Sequence, residues 1–361
     1  MDGKHTPRGR GAAQNPASRF DRLRIEPDPE WLDAETGAER AERRIPTEYF
    51  RDDSRAVVSR NHSPDIPFDW SVNPYRGCEH GCAYCYARPT HEFLGLSAGL
   101  DFESRILVKA GAPALLARRL AARDWVPQVV ALSGVTDGYQ PAERRLRITR
   151  GCLEVFLKYG NPVEIVTKSA LILRDLDVLG ALAARRLVRV TLSVTTLDGA
   201  LARRLEPRAA APGLRLEAIG RLAEAGVPVG VNVAPVIPGL TDHELPAILK
   251  AAAGHGATAA SYLLLRLPHG VKELFLDWLA AHYPERASKV ERAIRAMRGG
   301  KLNEGRFGLR MRGDGPRADV IERLFALHCG RLGLNRKRAE LNLTDFRRPG
   351  GPQQELFGAA P

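Results

Sequence analysis

Three of the chain's five cysteines, Cys78, Cys82 and Cys85, fall within eight residues at the spacing C-x3-C-x2-C. Few folds accommodate such a loop, because the backbone must wrap tightly around whatever the thiols hold. Gly77 and Gly81 flank the first two cysteines and permit those turns. A structural zinc site takes four Cys or His ligands, usually as two separated pairs. No second pair follows here, since Cys152 and Cys329 stand alone. A zinc knuckle or a redox thiol pair is therefore the alternative, and three corners of an iron–sulfur cubane the leading reading. Such clusters ordinarily take four cysteines, so a set of three leaves one iron open to a small molecule.

The rest of the chain alternates. Short apolar runs at 70–75, 128–133, 163–167, 187–194, 227–236 and 259–265 read as six strands. Helical periods at 142–159, 170–184, 213–225 and 242–253 separate the later ones. Strands alternating with helices imply right-handed parallel βαβ units and an α/β fold. In parallel barrels the chemistry gathers at the C-terminal strand ends, and the cysteine loop follows the first strand. Pattern alone leaves a barrel and an open doubly wound sheet both standing. Residues 1–20 read as a disordered basic tail, and 21–68 as an N-terminal extension with a short helix near 31–44. The barrel unit is expected over 69–268, a helical C-terminal extension over 269–334, and a flexible tail over 335–361.

The longer string N-P-Y-R-G-C-E-H-G-C-A-Y-C-Y-A-R, residues 73–88, carries a resemblance. It is similar to the signature C-x3-C-x-Φ-C of the radical S-adenosylmethionine (SAM) enzymes, with Tyr84 as the aromatic residue, and to their spore photoproduct lyase-like branch. The resemblance implies a partial (β/α)6 barrel, open on one side. It implies a [4Fe-4S] cluster on Cys78, Cys82 and Cys85, with SAM chelated at the open iron. Reduction by a donor such as flavodoxin or ferredoxin would then cleave SAM to methionine and a 5′-deoxyadenosyl radical that abstracts hydrogen from a substrate. In such a site the protein supplies orientation and exclusion of water.

The same resemblance nominates SAM contacts at the strand ends. Thr136 and Asp137, after the second strand, would meet the amino group. Lys168, Ser193 and, in an E-P…R element beginning at Glu206, Arg215 would serve the carboxylate or ribose. Asn232 interrupts an apolar strand and needs a partner, which a SAM hydroxyl or amine would supply. Tyr84 would neighbour the adenine. Each polar residue has a structural counter-reading as a helix cap, turn former or surface ion pair. Spore photoproduct lyase places a hydrogen-donating cysteine just before its Thr/Ser-Asp pair; Gly134 stands there in this chain. The resemblance thus speaks for scaffold and initiation more than for substrate.

The net charge of +12 rests on 45 Arg against nine Lys. A basic surface suits nucleic acid, because phosphate neutralisation gives sequence-independent affinity. Arg-rich base composition and helix-face ion pairs are the plain counter-explanation. A nucleic-acid-directed enzyme, an enzyme for a small molecule or protein, and a non-catalytic iron–sulfur or zinc nucleic-acid-binding module are the classes carried forward. No apolar run approaches the length of a membrane span, and the first 20 residues lack the apolar core of a secretory signal. A reducing cytoplasm is the expected compartment, with no membrane partner.

Overall fold

The computed structural model describes residues 6–21, 44–337 and 339–348. Five strands precede the repeating part of the chain: β1 (Glu48–Arg51), β2 (Val58–Arg60), β3 (Trp70–Val72), β4 (Tyr75–Arg76) and β5 (Arg105–Val108). Five more alternate with helices: β6 (Val130–Leu132), β7 (Val163–Thr167), β8 (Val188–Ser193), β9 (Val229–Val236) and β10 (Ala259–Leu264). The large sheet runs β10-β9-β8-β7-β6-β3-β2, and a small one runs β1-β5-β4. From β3 to β10 every pairing is parallel, and β2 closes the edge antiparallel to β3. The six expected strands are thus present in chain order as a partial (β/α)6 barrel. The first is shorter than expected. Pro74 has no amide hydrogen for a ladder, and the chain leaves at Val72 to pair Tyr75 and Arg76 with β5 instead.

The two faces of the sheet differ in chemistry because side chains alternate. Val72, Leu132, Ile165, Val190 and Val231 share one face, are essentially fully buried, and pack under the helices. The opposite face carries small and polar groups in rows across strands. Val166, Thr191 and Gly230 form one such row, and Ser193, Asn232 and Ser261 another. Val166 is solvent-exposed on that face, so the hollow side of the sheet is reachable from outside.

Three expectations are corrected. The helix anticipated over 142–159 breaks at Arg147, whose φ is +52°. The Glu143 carboxylate causes the break by accepting the Ile148 and Thr149 amides, both at 3.1 Å, and so starts a new helix, Ile148–Tyr159. Residues 6–21 are docked rather than a free tail, with Arg10 and Ala12 buried. The described part of 335–348 is also fixed: the Asn342 amide donates to Arg186, the Arg347 amide to Tyr159, and Asp345 pairs with Arg185 at 2.6 Å. It crosses the end of the barrel away from the cysteines, over a cavity of about 1050 Å³ lined partly by Arg186, Arg189 and Ala339. The helix expected near 31–44 lies almost wholly outside the described residues. Beyond β10 the chain forms the helices Val271–His282, Pro284–Ala296 and Pro316–Leu332.

Candidate functional site

The cysteine loop leaves β4 and is gripped on every side. The Cys78 amide donates to the Phe102 carbonyl at 2.9 Å and the Ala83 amide to Leu205 at 3.0 Å. Arg88 reaches back, donating to the Cys82 carbonyl (3.0 Å) and the Gly99 carbonyl (2.7 Å). It also pairs with Glu103 at 3.1 Å, both side chains fully buried. Gly81 must be glycine: φ is +66°, and a Cβ there would lie 2.3 Å from Glu103 Oε2. Cys78 and Cys82 are buried, Cys85 partly so, and burial raises all three thiols above their ordinary range. Thiolate is the ligand form, so metal loading here must displace protons.

Around the loop, the strand ends hold a charge cluster that is largely closed on itself. Glu206 is buried and accepts from Tyr84, from Thr195 at 2.6 Å and from Arg215, with Lys168 at 3.5 Å. Burial alone would raise its pKa, but Arg215 and Lys168 outweigh that and hold it at about 2. Arg215 further donates to the Ala210 and Ser193 carbonyls. Three of its five N–H donors are therefore turned inward, and the Glu of its own E-P…R element is its ion-pair partner. Asp137 is likewise engaged within the fold. It accepts from the Tyr139 amide (2.9 Å), Thr167 Oγ1 (2.7 Å) and the Lys168 amide (2.8 Å), with His80 Nδ1 at 3.4 Å. These three hydrogen bonds use most of its acceptor positions and tie the loop after β6 to the end of β7. Burial depresses the His80 pKa, leaving a neutral imidazole beside it.

Thr136 is the exception. Its Oγ1 is buried and has no hydrogen-bond partner within the protein, an arrangement that native folds seldom tolerate without a ligand or water. Lys168 donates to the Ala234 carbonyl at 3.0 Å and lies 5.8 Å from the centroid of the Tyr84 ring. Tyr84 is buried among these groups. Ser193 is buried at the end of β8, opposite Asn232 of β9, and Asn232 accepts from Ser261 at 3.0 Å. Three thiols on one loop, a spare lysine N–H and an orphaned hydroxyl fit an iron–sulfur cluster with a polar ligand beside it. Among the described residues no trio of His, Cys, Asp or Glu closes on a single ion.

Sequence reasoning missed the mouth of the site. Tyr86, one residue beyond Cys85, is 46% exposed, and its hydroxyl donates to the Gly134 carbonyl at 2.7 Å. Arg266, just past β10, stacks on that ring at 5.2 Å and makes no ion pair among the described residues. Arg310 stacks on the exposed Phe307 ring at 4.7 Å and is anchored by Asp65. That pairing holds the Asp65 carboxyl at about 2. Arg298, behind them, is pushed down to about 10 by burial and by the charge of Arg266. The sequence signal for this patch was Arg together with aromatic residues, but they are scattered from Tyr86 to Arg310.

Comparison with known proteins places these features in a family. The model described as "Radical SAM superfamily" matches residues 72–252. An uncharacterised protein of Mycobacterium tuberculosis (strain ATCC 25618 / H37Rv) is 38% identical over 232 residues, 64% of this chain and 68% of that one. An uncharacterised protein of Methanocaldococcus jannaschii is 30% identical over 173 residues, 48% of this chain and 62% of that one. The fold is similar to that of a spore photoproduct lyase complexed with dinucleoside spore photoproduct, with TM-score 0.57, 16% identity, and coverage of 79% and 80% of the two chains.

Proposed function

Because the chain belongs to the radical SAM superfamily, we propose that Cys78, Cys82 and Cys85 hold a [4Fe-4S] cluster and that SAM binds beside it, against the strand ends. When bound, the pair supplies an electron and a 5′-deoxyadenosyl radical for hydrogen abstraction. The chain's own part is positional. Arg88 and Glu103 fix the loop; Thr136 Oγ1 offers an unused hydrogen bond; Lys168 offers a positive charge next to Tyr84. Leu201, Leu205, Ile237 and Phe102, packed against the loop, keep water away from it. The observation that carries this reading is the three thiols, two of them buried, on one gripped loop beside an orphaned polar atom.

The substrate class we propose is nucleic acid. Tyr86 with Arg266 and Phe307 with Arg310 set two exposed aromatic faces, each with a guanidinium, at the open side of the barrel. Aromatic platforms among cations are how proteins hold unpaired bases and their phosphates. The net charge of +12 acts in the same direction. A reducing compartment with a flavodoxin- or ferredoxin-type donor completes the reading; no helix among the described residues is long and apolar enough to cross a membrane.

Anaerobic reconstitution tests the core of it. The expected result is about four iron and four sulfide per chain, and 5′-deoxyadenosine on addition of SAM and dithionite, both lost in Cys82→Ala. Zinc without sulfide would support a nucleic-acid-binding module instead. A Cys82→Ala variant indistinguishable from wild type would end the proposal.

A further inference from the structure

The segment 7–20 contains few apolar groups, yet it follows the surface of the cysteine loop closely. The Gly11 and Ala12 amides donate to the two carboxylate oxygens of Glu103, each at 2.9 Å. Arg10 donates to the Glu103 carbonyl at 2.5 Å and to Thr47 Oγ1 at 3.1 Å. Glu103 is the same residue that pairs with Arg88, whose guanidinium holds the Cys82 carbonyl. One carboxylate therefore fastens the segment on its outer side and the loop on its inner side.

Two glycines make this close fit. A Cβ on Gly11 would lie 1.6 Å from the Gly81 carbonyl oxygen, so the segment rests directly on the backbone between Cys78 and Cys82. A Cβ on Gly99 would lie 2.0 Å from the Gln14 carbonyl oxygen. Further along, Asn15 and Asp101 exchange two hydrogen bonds at 2.9 and 3.0 Å, and Ser97 Oγ donates to the Pro16 carbonyl at 2.7 Å. Arg19 lies against both the Phe20 and Phe93 rings, which also touch each other, and pairs with Glu92 at 3.0 Å. The attachment is polar almost throughout. Segments held by hydrogen bonds with little buried apolar surface open more readily than the core beneath them.

We propose that residues 7–20 are a docked cover over the cysteine loop, with Glu103 as the positioning residue that fastens cover and loop together, so that docking governs access to Cys82 and retention of the cluster. Access to Cys82 stands independently; retention rests on the cluster assigned above. The cover's opening exposes the loop without unfolding the barrel, because no strand or barrel helix passes through the segment.

Alkylation of the metal-free protein by iodoacetamide, read cysteine by cysteine by mass spectrometry, tests the cover directly. Cys152 and Cys329, buried elsewhere, report general opening. In Gly11→Ala and Gly99→Ala the Cys82 rate is expected to rise about tenfold, with Cys152 unchanged. Adding Gly11→Ala to Glu103→Gln should give no further rise, since both act through one contact. A wild-type Cys82 rate in the glycine variants, or a Cys152 rate rising in step, overturns the proposal. In reconstituted protein, loss of the iron–sulfur absorbance in air should accelerate by a similar factor in both glycine variants. If wild type takes up no iron, the functional reading fails while the alkylation result still decides the cover.

Discussion

Arg215 and Glu206 form an ion pair in which each side chain is only 1% exposed. The pair joins the helix Pro212–Glu224 to the C-terminal end of the helix Gly199–Leu205, and through Tyr84 it reaches the cysteine loop. Removing one member of a buried pair leaves an uncompensated charge, which costs about 3–5 kcal/mol. Arg215→Ala is expected to lower unfolding stability by that amount in a denaturant titration. A variant with wild-type stability and weakened SAM binding would instead return Arg215 to ligand recognition.

The same pair gives a pH signature. Glu206 ionises at about 2 in the folded protein against an ordinary 4.5. A depressed carboxyl contributes stability that is present above the unfolded value and lost as pH falls through the folded one. Unfolding free energy should therefore decline between about pH 4.5 and 2. In Glu206→Gln the slope over that window should be shallower by about one proton. Parallel slopes in the two proteins would contradict the assignment.

Thr136→Val separates folding from binding. The substitution keeps the side chain's shape and removes a buried hydroxyl that has no partner in the protein. Stability should stay level or rise by up to about 1 kcal/mol, while SAM affinity, measured by calorimetry on the reconstituted protein, falls. A clear loss of stability would mean that the hydroxyl is engaged within the fold.

The mouth patch predicts a salt-dependent interaction with single-stranded oligonucleotides. Arg266→Ala should weaken binding across sequences and reduce the slope of log affinity against log salt by about 0.7, the contribution of one phosphate contact. Tyr86→Ala should cost about 1–3 kcal/mol, the worth of one stacked base. Fluorescence anisotropy at several salt concentrations reads both; no binding to wild type at low salt would rule nucleic acid out.

Much of this was legible in the sequence for a physical reason. Apolar runs such as 163–167 and 229–236 are bounded by turn residues, so strand positions follow from local pattern, and the cysteine spacing identifies its loop without tertiary help. What stayed hidden depends on pairing across distance. Nothing local announces that Asp137 pairs with Thr167 and lies beside His80, or that Arg215 pairs with Glu206. The first 20 residues look disordered by composition. The order of residues 6–20 comes from Glu103, some ninety positions away, and from glycines that read as flexibility but serve close contact.

The large sheet ends at β10 on one side and β2 on the other, and the two never meet. Arg310, on the short helix Leu309–Arg312 that packs beside β10, pairs with Asp65 just beyond β2, so a side-chain clasp ties the two edges where a closed barrel would have a backbone ladder.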